Sequence, residues 1–125
     1  MRLLLDTHIF LWAVAGSPLL KPATRRLIED ADETYVSAAS IWEVAIKTRL
    51  GKIQADAHAL VKAIDASGFV ELPVSAAHAA AVAQLQLYHN DPFDRLLIAQ
   101  ALAEPLKLVT VDEVLARYSD LVLLV

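Results

Sequence analysis

Arg2-Leu3-Leu4-Leu5-Asp6, leading into Thr7-His8-Ile9-Phe10-Leu11-Trp12-Ala13-Val14-Ala15, is the stretch on which the fold turns. An apolar run this short and without alternation suits a strand covered on both faces, as in a parallel sheet. The run stops at an acid. Thr7 to Ala15 then reads as a helix closed by Gly16-Ser17-Pro18, so Asp6 is delivered into a βα loop.

Working outward, the same alternation continues. Pro22 opens a second helix to about Asp32, and Thr34 to Ser37 is β-prone. Ala38 to Lys47 looks helical up to Gly51, with Ser37 or Ser40 as its cap; Ser40 and Glu43 have capping-box spacing. Glu43 also stands four residues before Lys47, the spacing of an exposed helical ion pair. Asp56 to Ser67 reads as a helix ended by Gly68, and Phe69 to Leu72 as a strand stopped by Pro73. Ser75 caps an Ala-rich helix expected to run to about Leu87. Pro92 to Glu104 is the next helix, with Asp91 as its N-cap and Asp94 in its first turn, where carboxylates are favoured. Leu106 to Val111 is a strand candidate, followed by a short helix from Asp112 to Tyr118 and a last strand, Leu121–Val125. Strands alternating with helices imply an α/β domain with a mainly parallel sheet, because parallel neighbours need helical crossovers.

Composition narrows the function. The 125 residues suit one domain with a substantial core, and 57% are hydrophobic. A net charge of -4 with 11 Lys+Arg argues against charge-driven nucleic-acid binding as the whole activity. There is no cysteine, which excludes disulfides and thiolate metal sites and fits a reducing cytoplasm. The apolar N-terminal run is too short for a secretory signal. The charge-free stretch from Leu72 to Asn90 contains Pro73, two His and two Gln, and reads as a strand end plus a buried helix, with no membrane role.

In open parallel sheets ligands bind beyond the carboxyl ends of the strands. Asp6, Glu43 and Asp112 all fall towards that edge. Periodicity alone leaves Asp94 at either edge. Carboxylates gathered within a few Å must raise their pKa values, recruit Lys or Arg, or bind a divalent cation. Oxygen donors without thiolates suit Mg²⁺ or Mn²⁺, which can activate water and offset charge developing on a phosphate.

Asp6-Thr7-His8, Ser40-Ile41-Trp42-Glu43, Asp91-Pro92-Phe93-Asp94-Arg95 with Leu96-Leu97-Ile98-Ala99-Gln100-Ala101, and Val109-Thr110-Val111-Asp112 occur in that order. Together they resemble the successive motifs of PIN-domain proteins, most closely the ribonuclease toxins of VapBC-type toxin–antitoxin pairs. The likeness runs from residue 3 to the last strand and treats residues 1–125 as a single PIN-like domain. It implies a three-layer α/β/α fold with a mainly parallel sheet and Mg²⁺-dependent cleavage of single-stranded or looped RNA. It places Asp6, Glu43, Asp94 and Asp112 in an acidic site, with Asp6 and Asp94 as direct ligands. It also implies that Thr7 and Thr110 orient carboxylates and that Asp91, whose default role is the helix cap, neighbours the site. A cognate antitoxin and a homodimer are implied in the same way.

Other residues have plainer readings. His8 and His89 are read as hydrogen-bonding residues beside turns, and Trp12 and Trp42 as core or half-buried helix residues, or else as lining for an antitoxin segment. Arg95 holds an RNA phosphate or pairs with an acid, and Lys47 touches the RNA backbone or is merely solvated. A receiver-like domain is disfavoured because Lys107 begins its strand, and an aspartyl phosphatase because Asp6-Thr7-His8 lacks the second acid. The remaining rival is a catalytically silent PIN-like module that binds RNA or protein.

Overall fold

The computed structural model describes residues 1–125. Its core is a five-stranded, wholly parallel sheet in which β1 (Arg2–Leu5) is central. On one side lie β2 (Glu33–Ser37) and β3 (Val70–Leu72); on the other lie β4 (Lys107–Thr110) and β5 (Val122–Leu124). The register sets Leu5 beside Val109, and the Asp6 N–H continues the ladder by donating to the Val109 carbonyl at 3.0 Å.

The uninterrupted leucines of β1 explain the layering. Leu3 and Leu5 point to one face, where they pack with Ile9 and Phe10 of α1 (Thr7–Ala15). Val44 of α3 (Ala38–Arg49) and Leu60 and Ile64 of α4 (Ala57–Ala66) complete that core, and α2 (Pro22–Asp30) adds half-buried Leu27 and Ile28. Leu4 points to the opposite face, against Leu97, Ile98 and Ala101 of α6 (Pro92–Ala103). Residues alternate across a strand, so a central strand between two helical layers must be apolar at every position. Leu3, Leu4 and Leu5 are all fully buried. No helix is long and apolar enough to cross a membrane.

Two expected helices are shorter than the sequence suggested. The Ala-rich segment forms α5 only over Ala76–Ala81, followed by a single 3-10 turn at Val82–Gln84. Arg95 supplies the reason: its guanidinium takes the carbonyls of Val82 (3.2 Å) and Gln86 (3.0 Å), giving the chain an alternative to a continued helical ladder. After β4, the helix expected from Asp112 is only a 3-10 turn at Leu115–Arg117. Asp112 Oδ1 accepts the Val114 N–H at 3.0 Å and turns the chain instead of capping an α-helix.

Candidate active site

The site is assembled by the carboxyl ends of β1, β2 and β4 and the start of α6. Asp6, at the end of β1, is nearly buried and caps α1: its Oδ1 accepts the Thr7 N–H at 2.7 Å. Its Oδ2 accepts from the Thr110 hydroxyl at 2.6 Å. Thr110 Oγ1 in turn accepts the Asp112 N–H at 3.1 Å, so one hydroxyl fixes both acids that leave adjacent strands. Burial raises the Asp6 carboxyl above its ordinary pKa, against the opposing hydrogen bonds from Thr110 and Thr7.

Glu43 is brought in by α3. The helix is capped by Ser37, whose Oγ accepts the Ala39 N–H at 3.0 Å, so the alternative Ser40–Glu43 capping box does not form. Both residues turn inward and are buried. Thr7 Oγ1 donates to Glu43 Oε1 at 2.7 Å and lies 2.8 Å from Ser40 Oγ. Lys47 donates to Glu43 Oε2 at 2.6 Å, which raises the lysine pKa. The spacing expected of an exposed helical pair is therefore realised around a buried carboxylate, and Lys47 serves as a counter-charge inside the site.

Asp94 is where the charge accumulates. Its carboxyl is pushed up to about 7, first by burial, then by the charges of Asp6 and Asp91, with Glu43 adding a smaller push and His89 opposing. This locates Asp94 among the other acids, which periodicity alone did not. Asp91 keeps the cap: its Oδ1 accepts from Phe93 N at 2.8 Å and Asp94 N at 3.3 Å, while its charge bears on Asp94.

His89 enters the cluster itself. Its Nε2 lies 3.0 Å from Asp112 Oδ2 and 3.3 Å from Asp94 Oδ2. Its Nδ1 accepts the Asp91 N–H at 3.0 Å, so in the neutral ring the proton sits on Nε2 and faces the acids. The hydrogen-bonding role read from sequence is correct, but its location at the site was not legible; the signal was its distance of two residues from the Asp91 cap, the reach of such a side chain-to-backbone bond. His8 is exposed, with its ring centroid 6.1 Å from that of Trp12.

Arg95 and Trp42 differ from expectation, while Lys47 makes its expected pair in a more buried setting. Arg95 pairs with no acid: it donates to the carbonyls of Val82, Gln86 and His89 and to the Tyr118 hydroxyl, so it braces the loop that carries His89 and Asp91. Lys47 is bound to Glu43 and is only 27% exposed, not a solvated helix end. Trp42 is not core; it is 61% exposed and meets Phe93 edge-on at 5.2 Å. Trp12 is half-buried against the α1 side of the core, as expected.

A divalent cation fits this donor set. Lys47 and His89 are the only basic side chains ion-paired to five converging carboxylates, and Asp94 is kept protonated first by burial and then by its neighbours' negative charge. One nitrogen of His89 and one oxygen each of Asp94 and Asp112 lie within 4.8 Å of one another. Asp6 stands outside that trio and is linked to it by Thr110 and by its charge on Asp94. Carboxylate oxygens with at most one imidazole suit Mg²⁺ or Mn²⁺ rather than a thiolate-seeking ion.

The pattern characteristic of the PIN domain matches residues 3–121 of the chain. The chain belongs to the PIN-domain family. This PIN domain is 35% identical over 112 residues to ribonuclease VapC22 of Mycobacterium tuberculosis, covering 87% of this chain and 85% of that protein. Solved structures share the fold. VapBC2 from Rickettsia felis, bound to a DNA fragment from its promoter, superimposes with a TM-score of 0.70 at 19% identity, over 100% of this chain and 98% of that one. A toxin–antitoxin complex from Klebsiella pneumoniae gives 0.66 at 20% identity, over 96% and 94%.

Proposed function

We propose that this PIN domain is a Mg²⁺-dependent endoribonuclease, with Mn²⁺ as a possible substitute, that hydrolyses RNA phosphodiester bonds as the cytoplasmic toxin of a toxin–antitoxin pair. The observation that carries the reading is the convergence of Asp6, Glu43, Asp91, Asp94 and Asp112 with too few cations to balance them. Similarity to ribonuclease VapC22 over most of both chains supports RNA as the substrate. Similarity to toxin–antitoxin complexes supports a cognate antitoxin, and a homodimer is the assembly that the family resemblance implies.

In this reading Asp6 and Asp94 hold the ion directly, with Glu43 and Asp112 completing the acidic ring. A bound divalent cation supplies charge neutralisation and Lewis acidity for attack of water on phosphorus. The protein's own part is positioning. Thr110 fixes Asp6 and the backbone of Asp112, Thr7 fixes Glu43, and Lys47 holds the second Glu43 oxygen. His89 directs its Nε2 proton at Asp112 and Asp94, which keeps those carboxylates in place against mutual repulsion. Without a cation Asp94 holds its proton to about pH 7, and a bound cation would favour its ionised form.

The test is an RNA-cleavage assay with and without Mg²⁺ or Mn²⁺. Asp6→Asn and Asp94→Asn are expected to lose at least a hundred-fold in rate while keeping the native circular-dichroism spectrum. Cleavage by both variants at the wild-type rate would overturn the assignment, and metal-independent RNA binding without products would favour a silent RNA-binding module.

A further inference from the structure

Trp42 is a large aromatic left 61% exposed, directly preceding buried Glu43 on α3. Phe93 directly precedes Asp94 on α6, and the two rings meet edge-on at 5.2 Å with 73° between their planes. Asp94 in turn feels the charge of Glu43. The aromatic pair therefore forms a rim alongside the acids, and Phe93 fixes the attitude of the indole while leaving much of its surface open.

Three cations near the acids are already engaged, which leaves exposed Arg49 at the end of α3 as the one without an ion pair on that helix. Lys47 is bound to Glu43, Arg95 to three carbonyls and a phenol, and Arg117 lies over the Tyr88 ring at 4.2 Å. A polyanion approaching five carboxylates needs an attraction that does not rely on free positive charge. A fixed, exposed indole provides one, because every nucleobase has a stackable face, and only an unpaired base presents it.

We infer that Trp42, held by Phe93, is a positioning residue that stacks an unpaired base next to the scissile phosphate. The inference rests on the ribonuclease reading above and names how its substrate is held.

The experiment uses the full chain with Mg²⁺ and a short single-stranded RNA containing a mapped cleavage site, together with matched RNAs that carry an abasic nucleotide at each position flanking the cut. Trp42→Ala is expected to raise KM about ten- to hundred-fold with a smaller change in kcat, and Trp42→Phe to restore most of the loss. One abasic RNA should weaken the wild type to the same extent and weaken Trp42→Ala no further. In a Trp12→Phe background, the intact RNA should quench Trp42 fluorescence and that abasic RNA should not. Unchanged KM for Trp42→Ala, or an equal loss on intact and abasic RNA, would overturn the inference. So would conversion of a dimer to monomers by Trp42→Ala with RNA binding retained, which would assign the ring to a protein interface. Quenching by RNA without any cleavage would instead defeat the ribonuclease reading and leave stacking standing.

Discussion

Asp94 makes the site's electrostatics measurable. Folded, it holds its proton to about pH 7, whereas the ordinary value is 3.8. Between these values the folded state binds more protons, so its contribution to stability is greatest at low pH and is lost as pH rises to about 7. At 16% exposure the side chain is poorly screened, and the charged form costs about 4 kcal/mol at most. In protein stripped of divalent cations, Asp94→Asn should therefore melt close to wild type near pH 4 and progressively above it towards pH 8. Added Mg²⁺ should narrow that gap by stabilising the wild type. A pH-independent gap in thermal melts would contradict this account. Thr110→Val tests the neighbouring hydroxyl: it leaves a buried Asp6 oxygen without its donor, with an expected loss of about 1–3 kcal/mol in denaturant melts and a fall in cleavage rate. Single residues were unevenly legible. Asp91 and Asp94 announce a helix start by their spacing around Pro92, but no local pattern says that Asp94 shares a site with residues 88 and 51 positions earlier. That information lies in the pairing of strands.

At the scale of elements, local chemistry was readable wherever it decided the outcome. Gly16 ends α1 in the left-handed conformation, and Asp56 and Ser75 cap α4 and α5 through their side chains. It failed where a distant side chain intervened. Nothing between Ser75 and Leu87 forbids a longer helix; the break comes from Arg95, which gathers the carbonyls of Val82, Gln86 and His89. Arg95→Ala is accordingly expected to cost about 2–4 kcal/mol and to slow cleavage by releasing the His89–Asp91 loop. Arg95→Lys should recover only part of each, since an ammonium cannot reproduce the fork. Retention of wild-type melting by Arg95→Ala would show that the loop is held by other contacts. Likewise, Ser37 and Ser40 were equivalent caps by sequence, and Thr7, 33 residues before Ser40, separates their roles by engaging Ser40 from α1.

For the whole molecule, the unbroken leucines of β1 were enough to indicate a two-sided parallel sheet, and the alternation of elements gave the layers. Strand order was not readable, because nothing in β1 specifies that β2 and β4 flank it. The acidic balance, -4 overall, also has a consequence for binding. Without divalent cations, lowering the salt should leave RNA affinity unchanged or weaker, since reduced screening strengthens repulsion. A steep gain in affinity at low salt, with a slope corresponding to three or more released counterions, would point to a basic RNA surface elsewhere.

The central place of β1 sets the order in which the acidic site is assembled during synthesis. Asp6 emerges first, yet the hydroxyl that orients it belongs to Thr110, 104 residues later. A nascent chain delivered as far as α5 carries Asp6 and Glu43 with neither Asp94 nor Asp112. Such a fragment also lacks β4, one of the two strands that flank β1. The acidic site therefore closes only when the last strands arrive, and on the proposed ribonuclease reading chains truncated before α6 are expected to cleave no RNA.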